Sequence, residues 1–123
     1  MQESAPVMIV EDEPDLAQLL SDVLRSSGYR VLLSTPGSAV ERLESAQPAL
    51  LLLDYAMPGR TGAEVLADMR ARVATIPPVI LITGRDEVQR LAQDVGASAF
   101  LRKPFEMDEL LEQVERLIGS QSS

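Results

Sequence analysis

A chain of 123 residues that is 46% hydrophobic has the size and composition of one globular domain with its own core. With no cysteine and no histidine it holds no disulfide framework, no thiolate nucleophile, no cysteine or histidine zinc site, no hydrolytic triad and no phosphohistidine of its own. The missing cysteine and histidine leave any chemistry to carboxylates, hydroxyls and amines, with or without a hard cation, and a formal net charge of −8 with an aromatic content of 3% argues against binding nucleic acid or an anionic membrane surface.

The first residues, Met1-Gln2-Glu3-Ser4-Ala5-Pro6, lack the basic start and apolar stretch of a signal peptide. No later run approaches the roughly 18 apolar residues of a membrane helix, and a cytoplasmic location is expected. Val7-Met8-Ile9-Val10 reads as a strand. It is apolar throughout, as suits a strand buried on both faces of a parallel sheet. Pro14 to Ser27 has helical period, with Leu16, Leu19, Leu20, Val23 and Leu24 on one face, Pro14 suited to a first turn and Gly28 to a stop. Val31-Leu32-Leu33 is the second strand, and Ser38 to Ser45 a one-sided second helix carrying Val40 and Leu43. Leu50-Leu51-Leu52-Leu53 is the third strand, followed by a third helix from Gly62 to Arg72 with Val65, Leu66 and Met69 inward. Val79-Ile80-Leu81-Ile82 is the fourth strand. A fourth helix, Asp86 to Val95, places Val88, Leu91, Ala92 and Val95 together and ends at Gly96. Ala99-Phe100-Leu101 is the fifth strand, and Glu106 to Ile118 the fifth helix, using Leu110, Leu111, Val114, Leu117 and Ile118. Gly119 to Ser123 is left as a flexible tail.

Strict alternation of strand and helix with short connections predicts right-handed crossovers. The expected fold class is α/β, a doubly wound parallel sheet of five strands with five helices. It fits the flavodoxin-like order 2-1-3-4-5, in which ligands bind at the carboxyl ends of strands one and three. One domain is expected over residues 1–123, with its core in 6–118.

The polar residues collect at that edge. Strand one ends in Glu11-Asp12-Glu13, strand three in Asp54, strand four in Thr83-Gly84, and strand five is followed by Lys103-Pro104. Each alone has a plain structural explanation, since acids after a strand cap helices and a terminal threonine closes a hydrogen bond. Together, at the edge where such folds bind ligands, they point to a site. Three carboxylates at one point repel unless a cation sits among them, and Glu11, Asp12 and Asp54 offer only oxygens, which suits Mg²⁺ better than a Ca²⁺ cage. A carboxylate nucleophile, a cation, the lysine Lys103 and the hydroxyl of Thr83 make up the equipment of phosphoryl transfer. Asp54, which follows a fully apolar strand, is the natural nucleophile.

These residues resemble the receiver domain of two-component response regulators, the CheY-like superfamily, over residues 6 to 118. The likeness rests on Val10-Glu11-Asp12-Glu13, on Leu53-Asp54-Tyr55-Ala56-Met57-Pro58-Gly59 with Gly62 following, on Ile82-Thr83-Gly84 and on Lys103-Pro104-Phe105, in that order. The resemblance implies that Asp54 is the phosphoacceptor, taking its phosphoryl group from a sensor histidine kinase or histidine phosphotransfer protein. Glu11, Asp12, Asp54 and the backbone carbonyl of Ala56 would hold Mg²⁺, Lys103 would pair with phosphoryl oxygens, and the Lys103-Pro104 bond would be cis. Thr83 and Phe100 would form the switch, altering the surface of the fourth helix, fifth strand and fifth helix for a downstream protein target. That face would also serve a homodimer, with no direct nucleic-acid or membrane contact. Such a domain is a phosphoacceptor rather than an enzyme, promoting its own phosphotransfer and slow autodephosphorylation.

Departures from the commonest pattern are Glu11 for a frequent Asp, Gly84 where Ala is common, and the apolar Ala56. Ala56 and Arg85 are expected to influence the lifetime of the phosphoryl group. Phe100 is otherwise a core aromatic, Tyr55 a loop aromatic and Met57-Pro58-Gly59 a rigid turn. A haloacid-dehalogenase-like phosphohydrolase would need a second acid where Ala56 stands. A flavodoxin-like electron carrier would need hydroxyls and glycines where Glu11-Asp12-Glu13 stand, and the Gly-rich turns of nucleotide-binding enzymes are missing. A receiver-shaped interaction module that is never phosphorylated has the same fold. The expectation is either a regulator that stands alone and acts by protein contact or the receiver piece of a longer chain, the first slightly favoured.

Overall fold

A computed structural model describes residues 5–84 and 96–119. In chain order it contains β1 (Val7–Val10), α1 (Pro14–Ser26), β2 (Val31–Ser34), a 3-10 turn (Pro36–Ser38), α2 (Ala39–Ala46), β3 (Leu50–Asp54), β4 (Ala56–Met57), β5 (Arg60–Thr61), α3 (Gly62–Arg72), β6 (Val79–Thr83), β7 (Ala99–Arg102) and a C-terminal helix, α4 (Met107–Gly119). Five strands form one parallel sheet in the order β2-β1-β3-β6-β7, the expected 2-1-3-4-5 winding, while β4 and β5 form a small antiparallel hairpin.

The runs of consecutive apolar residues explain the sheet's centre. Every residue of β1, β3 and β6 is buried. Because side chains alternate between faces, each run feeds two cores. Met8, Val10, Leu51, Leu53, Val79 and Leu81 pack with Ala39 and Leu43 of α2 and Val65, Leu66 and Met69 of α3. Val7, Ile9, Leu50, Leu52, Ile80, Ile82, Ala99 and Leu101 pack with Leu20 and Leu24 of α1 and Leu110 and Val114 of α4. Full burial of each such side chain contributes roughly 1.5–3 kcal/mol. Polar groups at the ends of these strands are therefore held on a stiff platform.

The structure differs from the sequence reading in several places. Leu19, assigned to the inner face of the first helix, is 47% exposed, and the buried positions of α1 are Ala17, Leu20, Ser21 and Leu24. The apolar count favoured Leu19, but the small Ala17 and Ser21 let the helix sit close to the sheet and turn it outward. The second helix starts one residue later than expected, at Ala39, behind the 3-10 turn. Gly119, placed in the tail, closes α4. The hairpin β4–β5 was not foreseen as strands, because two residues per strand leave no period to read. The fourth helix expected over Asp86 to Val95, with Arg85 before it, lies outside the described residues, as does the tail from Ser120. Among the described residues no helix is long and apolar enough to cross a membrane.

Candidate phosphoryl-transfer site

β1 and β3 are in register, Val10 beside Leu53, so the residue after β1 and the last residue of β3 emerge side by side. These are Glu11, 6% exposed, and Asp54, 3% exposed. Asp12, exposed, completes the set: one carboxylate oxygen from each of Glu11, Asp12 and Asp54 lies within 4.8 Å of the others. One step across the sheet, β6 places Thr83, buried at 1% exposure, opposite Arg102 of β7. The Lys103 amide donates to the Thr83 carbonyl at 2.8 Å, which fixes where Lys103 leaves the sheet. From there its Nζ reaches Asp54 Oδ2 at 3.2 Å. The Lys103–Pro104 peptide is cis.

The remaining valences define what is missing. Glu11 Oε2 accepts from the Glu13 amide at 3.1 Å, while Glu11 Oε1 and Asp54 Oδ1 are buried with no hydrogen-bond partner. Two buried acceptor oxygens side by side call for a proton, a hydrogen-bond donor or a cation between them. In the absence of a cation the proton goes to Glu11: burial above all, then the nearby Asp54 carboxylate, as acceptor for that proton and as a like charge, push its carboxyl from 4.5 up to about 8. The Glu13 amide and the Lys103 ammonium pull the other way. An all-oxygen donor set with two orphaned buried carboxylate oxygens fits a hard divalent cation such as Mg²⁺.

The segment after Asp54 is packed more tightly than its sequence suggested. The Tyr55 amide donates to the Ile82 carbonyl at 2.8 Å and the Gly62 amide to the Tyr55 carbonyl at 2.7 Å. A Cβ on Gly62 would stand 2.7 Å from the Asp54 carbonyl oxygen and 3.1 Å from Tyr55 Cα, so only glycine lets α3 begin there. Thr61 caps α3, its side chain accepting from the Glu64 amide at 3.2 Å while Glu64 Oε1 accepts from the Thr61 amide at 2.8 Å. That Thr-x-x-Glu box was readable in the sequence and went unused. Tyr55 is half-buried against the core on the α2/α3 side rather than a free loop aromatic. Ala56 lies in β4 with its side chain exposed, and Met57-Pro58-Gly59 forms the hairpin turn.

The structure thus brings Glu11, Asp12, Asp54 and Lys103 into one cluster and sets Thr83 at the same sheet edge. Phe100 is elsewhere: half-buried on β7, it packs against the α2/α3-side core and borders a groove along β7 and α4 that also includes Arg102, Gln113 and Arg116.

Comparison with known proteins agrees with this geometry. The family model described as the response regulator receiver domain matches residues 7–115. The uncharacterized transcriptional regulatory protein YkoG of Bacillus subtilis is 38% identical over 117 residues, covering 91% of this chain and 50% of YkoG. The sensory transduction protein RegX3 of Mycobacterium bovis is 34% identical over 115 residues, again covering 91% of this chain and 50% of that protein. The chain spans about half the length of the curated relatives it matches. Among solved structures, the chemotaxis protein CheY4 of Vibrio cholerae superposes with a TM-score of 0.84 at 27% identity, covering 94% of this chain and 99% of that one.

Proposed function

Since the chain belongs to the response regulator receiver domain family, we propose that Asp54 is its phosphoacceptor and that the domain acts as a phosphorylation-driven switch in two-component signalling. The observation that carries this is the state of the Asp54 carboxylate: buried at the end of β3, it has one oxygen paired to Lys103 and the other without a partner, beside two further carboxylates. A buried carboxylate so equipped is costly for the fold unless it has a use.

The donor is a phosphohistidine on a sensor histidine kinase or histidine phosphotransfer protein, or a small acyl phosphate. A carboxylate oxygen of Asp54 forms a bond to phosphorus as the bond from phosphorus to the donor's imidazole nitrogen breaks. The electron pair of that bond stays on the nitrogen, which takes up a proton, so the products are an aspartyl phosphate and a neutral imidazole; from an acyl phosphate the leaving group is instead the free carboxylate. Glu11, Asp12, Asp54 and the Ala56 carbonyl would hold Mg²⁺, which when bound supplies positive charge to offset that on the phosphoryl oxygens. Lys103, already within reach of Asp54, follows the charge to the phosphoryl group, and the Thr83 hydroxyl offers it a hydrogen bond. Thr83 and Phe100 pass the change to the surface around β7 and α4, where a downstream protein target or a second copy of the chain docks. Slow attack of water on the acyl phosphate returns the domain to its starting state. Residues 1–123 act in this as one receiver unit of a cytoplasmic protein that meets its partners by protein contact.

Incubation with acetyl phosphate and Mg²⁺, followed by intact-mass measurement, tests the proposal. One phosphoryl adduct is expected in the wild type, none with EDTA and none in Asp54→Asn. A folded, Mg²⁺-binding wild type without any adduct would instead support the interaction module that is never phosphorylated.

A further inference from the structure

On the proposed reading Ala56 serves the site only through its backbone carbonyl, so something else must hold that backbone still. The hairpin that carries it has just two residue pairs, Ala56 with Thr61 and Met57 with Arg60. It turns at Pro58 and Gly59, where the φ of +81° at Gly59 suits the third position of a type II turn. So short a ribbon does not keep its own shape in water. The exposed methyl of Ala56 has no core to grip.

The hairpin is instead held by its neighbours. Met57, 7% exposed, packs with the core that includes Val65, Leu66 and Met69 of α3. At its base stand the Gly62 to Tyr55 hydrogen bond and the Thr61–Glu64 box. Opposite Met57, Arg60 lays its guanidinium along α3, where Nη2 donates to the Glu64 carbonyl at 3.3 Å and pairs with the Asp68 carboxylate. The geometry points to Arg60 and Asp68 as a clamp that sets the position of the Ala56 carbonyl, and so tunes Mg²⁺ affinity, an inference resting on the reading of Asp54 and its neighbours as the metal-dependent acceptor site.

Magnitudes say where the effect falls. The Arg60 and Asp68 side chains are 35% and 51% exposed, and a pair so exposed adds little to global stability, about 0–1 kcal/mol. Groups that orient a metal ligand without touching the metal change affinity far more than fold. Arg60 and Asp68 are therefore positioning residues. A second exposed pair on the same helix, Arg72 with Glu44 of α2 at 3.2 Å, ties α3 to α2 rather than to the hairpin strand and serves as the control.

Calorimetric titration with MgCl₂ tests the clamp, with hydrogen exchange of the hairpin amides in the metal-free protein as a second readout. Arg60→Met and Asp68→Asn are each expected to weaken Mg²⁺ binding by roughly three- to tenfold and to speed exchange at the hairpin, with thermal midpoints close to wild type. The double variant should be no weaker than either single one, since both break the same contact. Asp68→Glu should recover most of the affinity, and Arg72→Met should leave it unchanged. If Arg60→Met binds Mg²⁺ as wild type does, or if Arg72→Met loses as much, the clamp is overturned and the acceptor site stands. If the wild type binds no Mg²⁺, the acceptor reading falls and the clamp falls with it.

Discussion

Glu11 is the residue whose protonation state depends most directly on what occupies the site. Held up to about 8 against an ordinary 4.5, it keeps its proton in the folded, metal-free protein at pH values where the unfolded chain has lost it. The folded state thus binds more protons across that window, and stability falls as pH rises through it. Urea denaturation of metal-free protein between pH 5 and pH 8 should show this decline. In Asp54→Asn the slope should be smaller, because the neighbouring charge is gone while burial remains. Cation binding must displace the same proton, so Mg²⁺ affinity should rise over that range; a flat profile would contradict a protonated Glu11. Gly62 is the second residue with an unambiguous role. Gly62→Ala puts a Cβ against the Asp54 carbonyl, and since backbone must shift to accept it, a loss of about 1–3 kcal/mol is expected in urea denaturation together with slower phosphorylation.

At the scale of elements, what was legible in the sequence was whatever had a period or an apolar run. The strands at 7–10, 31–34, 50–54, 79–83 and 99–102 were found within one residue at each end: the central three are buried on both faces and show it in consecutive apolar residues, while the edge strands at 31–34 and 99–102 are partly exposed and were read from shorter apolar runs. The third helix was read with its observed bounds, Gly62–Arg72. What stayed hidden was short or settled by packing. The β4–β5 hairpin has too few residues for a pattern, and the outward turn of Leu19 depends on small residues that carry no hydrophobic signal of their own. Of the site, the residue types were legible in sequence order, but the spacing between Lys103 and Asp54, the orphaned oxygens and the crowding at Gly62 exist only in three dimensions. The capping box of α3 makes an element-level prediction: Thr61→Val should cost about 1 kcal/mol in denaturant midpoint with the slope unchanged.

At the scale of the whole molecule, the domain is a parallel sheet with a hydrophobic core on each face that holds a destabilising acidic cluster at one edge. A ligand that binds the folded state alone stabilises it by mass action, about 2.7 kcal/mol at a hundred times its dissociation constant. Saturating Mg²⁺ should therefore raise the melting temperature of the wild type, EDTA should reverse the gain, and Asp54→Asn should show little of it. The groove along β7 and α4 is lined in part by Lys103, which also pairs with Asp54, and on the proposed reading it would respond to phosphorylation through Lys103 and through β6 and β7, where Thr83 and Phe100 sit on adjacent strands. All of this presumes that the new bond forms on one carboxylate. Borohydride reduction converts an aspartyl phosphate to homoserine, so the chain treated with acetyl phosphate and Mg²⁺, reduced and mapped by peptide mass spectrometry, identifies the acceptor directly. Homoserine is expected at position 54, with Glu11 and Asp12 unmodified; homoserine at another aspartate, or none at all in a protein shown to bind Mg²⁺, would rule out Asp54 as the acceptor.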